Sequence, residues 1–327
     1  MEAPIGLFHT IYFTAYFIIS ISQQLLLVHI MIRYTPRRLR GLRFFMIKSS
    51  VVEIVLICLI YFTQYRYVVN TNTLAIICHG PSEFFSANIC FYSFFAVLVI
   101  GAESVLSVAH TIYYQFRHTH CVLKPLSLFA IIRETSISFI PLIVLQVMVV
   151  LLSKNFSAVK MELYQLHPEE TLSSGVIAGF DDMFSPLNIC ALFMIGIIVY
   201  GTPLFSMYCK KRIHRQLFKC GNSISKKTRE NSKTFIQALN FQAMIPAICY
   251  VPPFSMFLYS QYIGSDPPYY TYIVAVMISA PTILHPAATI YFVLPYRRAV
   301  VSIFMRSVNR KSSGFNGSSE NSNTQTV

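Results

Sequence analysis

The fold class predicted for this chain is all-α and membrane-embedded, a bundle of seven transmembrane helices, and three observations predict it. Hydrophobic residues make up 54% of the 327 and charged residues only 12%, about half the charged share of an average soluble domain. The apolar residues gather into seven stretches, residues 8–32, 44–65, 88–114, 127–152, 188–209, 235–260 and 271–294. Each exceeds the roughly 20 residues that cross about 30 Å of hydrocarbon as a helix. Finally, lysines and arginines crowd into every second gap between the stretches.

An unpaired backbone amide or carbonyl is costly in lipid, so every stretch is predicted to be helical even where β-branched residues are dense. The first, from residue 8, follows a segment Met1–Gly6 with no basic residue; it lacks the pattern of a cleavable signal peptide and is expected to serve as its own targeting signal. The second and third each carry one acid, Glu53 and Glu103. The fourth holds Pro141, the fifth Pro203, the sixth Pro246, Pro252 and Pro253, and the seventh Pro281 and Pro286, residues that break intrahelical hydrogen bonds and can kink a helix. Pro295 closes the seventh. Residues 295–306 alternate basic and apolar side chains, which predicts a short helix on the membrane surface. Residues 307–327, rich in Ser, Asn and Gly, are expected to be a disordered cytoplasmic tail. The domain layout is therefore a bundle over 1–294, the surface helix and the tail.

All but Arg66, Lys154 and Lys160 of the 26 basic residues lie after the first, third and fifth stretches or in the tail, or at their margins. Positive loops stay in the cytoplasm, which places the amino terminus outside and the carboxyl terminus inside, with the plasma membrane as the expected site. The net charge of +13 is then a cytoplasmic surface beside anionic lipid and gives no reason to invoke nucleic acid as a partner. There is no internal repeat of the kind that marks inverted-repeat transporters.

Of eight cysteines, Cys78, Cys90 and Cys190 lie at or near the outer face, where a disulfide survives. The pairing is open: Cys78 with Cys90, or either with Cys190. Cys58, Cys121, Cys209, Cys220 and Cys249 read as ordinary thiols. No CxxC or Cys/His pair has metal-ligand spacing, so no metal is predicted. Asn155-Phe-Ser157 is a glycosylation sequon on the outer side.

Glu53, Glu103 and His285 stand about 9, 11 and 9 residues from the inner ends of their helices, roughly 13–17 Å deep at 1.5 Å per residue. An intramembrane acid usually faces the bundle interior and has a partner, so these three are expected to form one polar cluster between the second, third and seventh helices. His110, two turns below Glu103, is expected to extend it. Toward the outer halves lie Tyr92, Phe95, Tyr250, Phe254, Phe257, Tyr270 and Met277, an aromatic and thioether set suited to a small apolar or weakly polar ligand.

Three short segments carry a family resemblance. Pro286-Ala-Ala-Thr-Ile-Tyr-Phe-Val-Leu-Pro295-Tyr296-Arg297 resembles the closing segment of nematode serpentine chemoreceptors. Leu239-Asn-Phe-Gln242-Ala-Met-Ile-Pro246 with Pro252-Pro253 is similar to the sixth helix of the same superfamily, and Cys78-His79-Gly80-Pro81 with Asn88-Ile-Cys90 resembles its delta class. Two positions depart from that class, Ser82 where it often has Cys and Ile112 where it often has Arg. The depth of the polar cluster is similar to that of the ion site in rhodopsin-like receptors.

The resemblance implies a chemosensory receptor of rhodopsin-like architecture, in sensory cilia, that couples a small-molecule ligand to a heterotrimeric G protein. Tyr113, Tyr114, Arg117, Lys210, Lys211, Arg212, Tyr296 and Arg297 are the residues expected on the G-protein face. No sequence motif proposes a nucleophile, a metal or a nucleotide site, so no enzyme activity and no cofactor are predicted. The alternatives are a seven-helix ligand-gated channel or transporter, or a receptor relative that has lost signalling.

Overall fold

A computed structural model describes the backbone of residues 2–35, 40–120, 128–151, 155–168, 175–219, 226–263, 270–302 and 305, and most of their side chains. The tail from 307 lies outside the described residues. Among the described residues, seven helices have 23 residues or more: α1 (Glu2–Tyr34), α2 (Arg40–Thr63), α3 (Ala87–His120), α4 (Leu128–Leu151), α6 (Pro186–Lys219), α7 (Lys226–Ile263) and α8 (Tyr270–Phe292). Between α4 and α6 lies a short helix, α5 (Phe156–Leu166). The chain is thus an all-α membrane protein, and five of the described segments, Phe8–Tyr34, Arg43–Thr63, Ala87–Tyr114, Pro186–Arg212 and Tyr270–Phe292, are long and apolar enough to cross a membrane.

The helices close into a ring. α1 packs on α2, α2 on α3, α3 on α6, α6 on α7, α7 on α8 and α8 back on α1, with α4 on the outside of α3. Large apolar side chains left uncovered by this ring, such as Ile11, Ile18, Leu25 and Ile32 on α1 and Phe193, Ile197, Leu204 and Met207 on α6, run the length of their helices. A stripe of that length on a water-soluble protein would be an aggregation hazard; here it is the surface that meets lipid.

The end of the bundle at which α2 connects to α3 holds a feature the hydropathy pattern does not predict. The second apolar stretch ends as a helix at Thr63, not at residue 65: Gln64 takes φ 40° and the chain turns into strand β1 (Tyr65–Val69). With β2 (Leu74–Cys78) and β3 (Val176–Phe180) it forms an antiparallel sheet in the order β1-β2-β3, in register Tyr65 to Cys78 and Cys78 to Val176. Alternation along each strand gives the sheet two apolar faces. Tyr65, Tyr67, Leu74, Ile76, Ala178 and Phe180 face the bundle core. Val68, Ala75, Ile77 and Ile177 face α5 and pack on Val159 and Leu163. The sheet is therefore a roof over the helices with α5 laid across it.

Cys78 and Cys90 are bonded, with 6.2 Å between their Cα atoms, and join the end of β2 to the first turn of α3. Cys190 is a free, exposed thiol, so the pairings that involve it do not occur. Near Gly179, at φ 155°, an added Cβ would run into the Leu74 carbonyl, which is why β3 can approach β2 there only with glycine.

At the end opposite the sheet α8 stops at Phe292, the chain bends at Val293, and residues 294–302 are again helical. Tyr296 and Ala299 turn inward onto Leu27, Ile30 and Met31 of α1, whereas Arg297, Arg298 and Val301 face out.

Candidate functional site

Beneath the roof, α3, α6, α7 and α8 enclose a cavity of about 160 Å³. Its ceiling is Tyr65 and Tyr67 of β1, Leu74 of β2 and Phe180 of β3. One wall is the inward face of α3, with Phe94, Phe95, Leu98, Gly101, Ala102 and Val105, which recur at the three- and four-residue spacing of a helix face. Asn188, Ala191, Leu192 and Ile195 of α6 face it, and Tyr250, Phe254 and Phe257 of α7 and Val274 and Ile278 of α8 complete the enclosure. No charged side chain lines this cavity among the described residues. The Tyr250 hydroxyl is buried with no hydrogen-bond partner. A Cβ built at Gly101 meets nothing within 4 Å, so the glycine leaves open space in the wall.

Four of the seven aromatic and thioether residues expected at a ligand site, Phe95, Tyr250, Phe254 and Phe257, lie on this wall. The other three do not line it. Tyr92 is 37% exposed and Met277 is half-buried, each one position away on its helix from an inward residue, Phe91 or Ile278. One position turns a helical side chain by about 100°, enough to take it off the wall. Tyr270 is buried, and its hydroxyl accepts from the Tyr67 hydroxyl at 3.1 Å and donates its proton to the Pro253 carbonyl oxygen at 3.5 Å; it steadies a ceiling residue. The ceiling itself was missed because its strands read as ends of helices and as loop, although the alternation in Tyr65–Val69 and the apolar run Leu74–Cys78 are its signal.

The intramembrane acids resolve into two separate pairs, not one cluster. Glu53 binds His285 of α8, with Nδ1 2.5 Å from Oε1, and its other oxygen accepts from Gln24 of α1. Glu103 binds Lys48 of α2 at 2.5 Å, with Ser107 Oγ at 3.3 Å. Lys48 also lies over the Phe139 ring of α4, 4.8 Å from its centroid. The division follows from helix geometry. Lys48 and Glu53 are five residues apart, roughly 140° around α2, so one faces α3 and the other faces α1 and α8. The His110 ring lies 6.5 Å from that of Phe45 on α2. Gln24 and Lys48 are the partners that sequence reasoning missed, and Gln24, an amide in mid-span, was the available sign.

Above the Glu53 pair, Tyr12 and Ser279 are 2.7 Å apart and Tyr16 and Thr282 2.8 Å apart. Below it, the Thr35 hydroxyl lies 2.9 Å from the Tyr296 hydroxyl. Polar contacts therefore join α1 to α8 and to the segment beyond it through the full depth of the bundle.

At the end opposite the sheet, Lys210, Lys211, Arg212 and Arg297 are exposed, Arg212 lying over Tyr208 and Arg297 over Tyr291. Tyr113 is half-buried with its ring 6.2 Å from Phe205. Two residues expected on this face are core instead. Tyr114 is buried with its ring 4.8 Å from Phe45, and Tyr296 is 1% exposed. Both are large rings on inward positions of their helices, where apolar contact outweighs exposure. Arg117 belongs to α3, and its side chain lies outside the described residues. Asn155 is exposed and caps α5, its Oδ1 accepting from the Ala158 amide at 3.3 Å.

A ring of six long helices with a seventh, α4, on its outside, an apolar chamber at the roofed end and basic residues at the other, defines a seven-transmembrane receptor-type protein. The chain matches the family described as serpentine type 7TM GPCR chemoreceptor Srd over residues 9–302, and it belongs to that family. It is similar to serpentine receptor class delta-51 of Caenorhabditis elegans, 31% identical over 300 residues, 92% of this chain and 88% of the relative. Class delta-50 of the same organism is 28% identical over 328 residues, 96% of each chain, and class delta-59 is 26% identical over 292 residues, 87% of each. This is a family of chemoreceptors and not of enzymes.

Proposed function

We propose that this protein is a chemosensory G protein-coupled receptor of the plasma membrane of sensory cilia, with its amino terminus outside, that binds a small uncharged molecule beneath the sheet and activates a heterotrimeric G protein. The observation that carries the reading is the chamber of about 160 Å³ with aromatic and aliphatic walls and no charge. Burying an ion against such walls is prohibitively costly without a partner, whereas a neutral molecule gains from each apolar contact. Tyr250, whose hydroxyl has no partner, supplies one hydrogen bond to a ligand hydroxyl, carbonyl or ester.

Transmission needs a difference in ligand affinity between two arrangements of the helices. α7 contributes Tyr250, Phe254 and Phe257 to the chamber and contains Pro246, Pro252 and Pro253, so a ligand that presses on its outer half acts on a helix with interrupted hydrogen bonding. The cationic side chains at the inner ends of α6 and beyond α8 suit the G-protein contact. The deciding experiment adds neutral and ionic compounds to the purified receptor with a G protein. Nucleotide exchange driven by neutral compounds supports the reading. Ionic currents through the protein in liposomes, with no exchange, would establish the channel alternative in its place.

A further inference from the structure

The ceiling of the chamber is tightly made. Tyr65, Tyr67, Leu74 and Phe180 are each 6% exposed or less, and Val159 and Leu163 of α5 are fully buried against the other face of the sheet. Paired strands lie about 4.8 Å apart, so the sheet itself offers a ligand no passage. Around the sides, α6 meets α7 less extensively than α3 meets α6 or α7 meets α8.

Two layers close that seam. Phe254 lines the chamber, and its ring rests on α6 at Gly196, where an added Cβ would stand 3.5 Å from Phe254 Cε1. Beside the ring, with 5.8 Å between centroids, is Tyr200, which is 37% exposed. Ser255 gives its proton to the Val251 carbonyl at 2.7 Å, so the Tyr200 hydroxyl donates to Ser255 Oγ, also at 2.7 Å. Phe193 and Leu204 share the Tyr200 face of α6, and Ile248 and Tyr259 share the Ser255 face of α7. All four are more than half exposed, so this side of the seam meets acyl chains.

We propose that the ligand is a neutral lipophile that dissolves in the bilayer and enters the chamber through the seam between α6 and α7, with Phe254 as the gate and the Tyr200–Ser255 hydrogen bond as its clasp. This rests on the reading of the chamber as the ligand site and adds the route and the class of ligand that can take it. Each methylene raises the concentration of such a molecule in hydrocarbon about fourfold, whereas an ion is kept out of hydrocarbon and chamber alike. The seam is built to give way. Gly196 has no side chain to hold the ring, and Phe254 directly follows Pro252 and Pro253, which interrupt the hydrogen bonding of α7 at that level. Acyl chains offer the two hydroxyls no other partner, so the clasp re-forms once the ligand has passed.

The test uses the full-length chain in lipid vesicles. The sequence contains no tryptophan, so Phe95→Trp places a single indole on the chamber wall. The probe is n-octyl bromide, a neutral lipophile whose bromine quenches indole fluorescence on contact. It should quench the indole, and neither aqueous iodide nor phospholipids brominated on their acyl chains, which are too large to enter, should do so. In this background Phe254→Ala should speed quenching by more than about tenfold, as removal of a gate does. Tyr200→Phe, which keeps the ring and loses the clasp, should speed it several-fold. Gly196→Leu, which wedges the ring in place, should slow it by more than about tenfold yet reach the same final depth. Quenching at one rate in all four proteins overturns the route and leaves the receptor reading intact, because a neutral compound still enters the chamber. Faster quenching by iodide than by octyl bromide overturns it as well, since the way in is then from water. An indole that octyl bromide never reaches would remove neutral lipophiles from the chamber and overturn both readings.

Discussion

Gly101→Leu tests the chamber most directly. A Cβ added at Gly101 meets nothing within 4 Å and the residue borders the chamber, so a leucine there is expected to extend into the cavity and to avoid most of the usual penalty of about 1–3 kcal/mol for overpacking a core. Filling cavity volume regains about 24 cal/mol per Å³; a leucine that occupies part of the 160 Å³ should stabilise the fold by roughly 1–2 kcal/mol. Replacing a mid-helix glycine adds up to about 1 kcal/mol more. A ligand, in contrast, loses the room of about four heavy atoms. At the modest value of about 0.3 kcal/mol per atom, that is about 1.2 kcal/mol or nearly tenfold in affinity. The expected result is therefore a raised Tm in detergent together with at least a several-fold loss of agonist potency at equal surface expression, the agonist being any neutral compound found by calcium imaging. Unchanged potency with a raised Tm would show that the ligand binds elsewhere, and a Tm lowered by several degrees would show that the space beside Gly101 is not open.

Lys48→Met leaves Glu103, which is fully buried, without its ion partner and should cost about 3–5 kcal/mol; the double variant with Glu103→Gln should recover most of it, and additive losses in Tm across the cycle would refute the pairing. Cys78→Ser or Cys90→Ser should release the sheet from α3 and abolish the agonist response, whereas Cys190→Ser should leave both response and Tm at wild-type levels; equal effects of all three would count against the roof as a part of the site. Ser157→Ala removes the sequon yet keeps the Asn155 cap of α5, so a glycosidase-sensitive band shift should vanish with little change in stability, while Asn155→Gln should lose the shift and also about 1 kcal/mol of capping. A wild-type protein without any such shift, expressed in cells that glycosylate, would contradict the outward placement of α5.

The errors of sequence reading have a common form. Tyr92, Met277, Tyr114 and Tyr296 each turn to another side of the helix than the one expected for them. Apolar composition marks which residues enter the membrane, but in lipid every face of a helix is apolar, so the periodicity that separates inside from outside in a water-soluble helix is largely erased. The intramembrane ionisable groups were easier to read, because a carboxylate in hydrocarbon demands a partner whatever surrounds it. Even there, depth alone merged into one group Glu53, which turns to α1 and α8, and Glu103 of α3, which meets Lys48 on another side of α2.

The all-α membrane class and the family to which the chain belongs were already written in residue composition and in a few short motifs, because hydrocarbon permits a backbone few other ways to satisfy its hydrogen bonds. The roof could not be read in this way: β3 lies about a hundred residues beyond β1 and β2, and its pairing with β2 exists only once the helices have brought the two segments together. The same holds for Lys48 beside Glu103 and Phe254 beside Gly196, contacts between different elements whose angular orientation no linear pattern records.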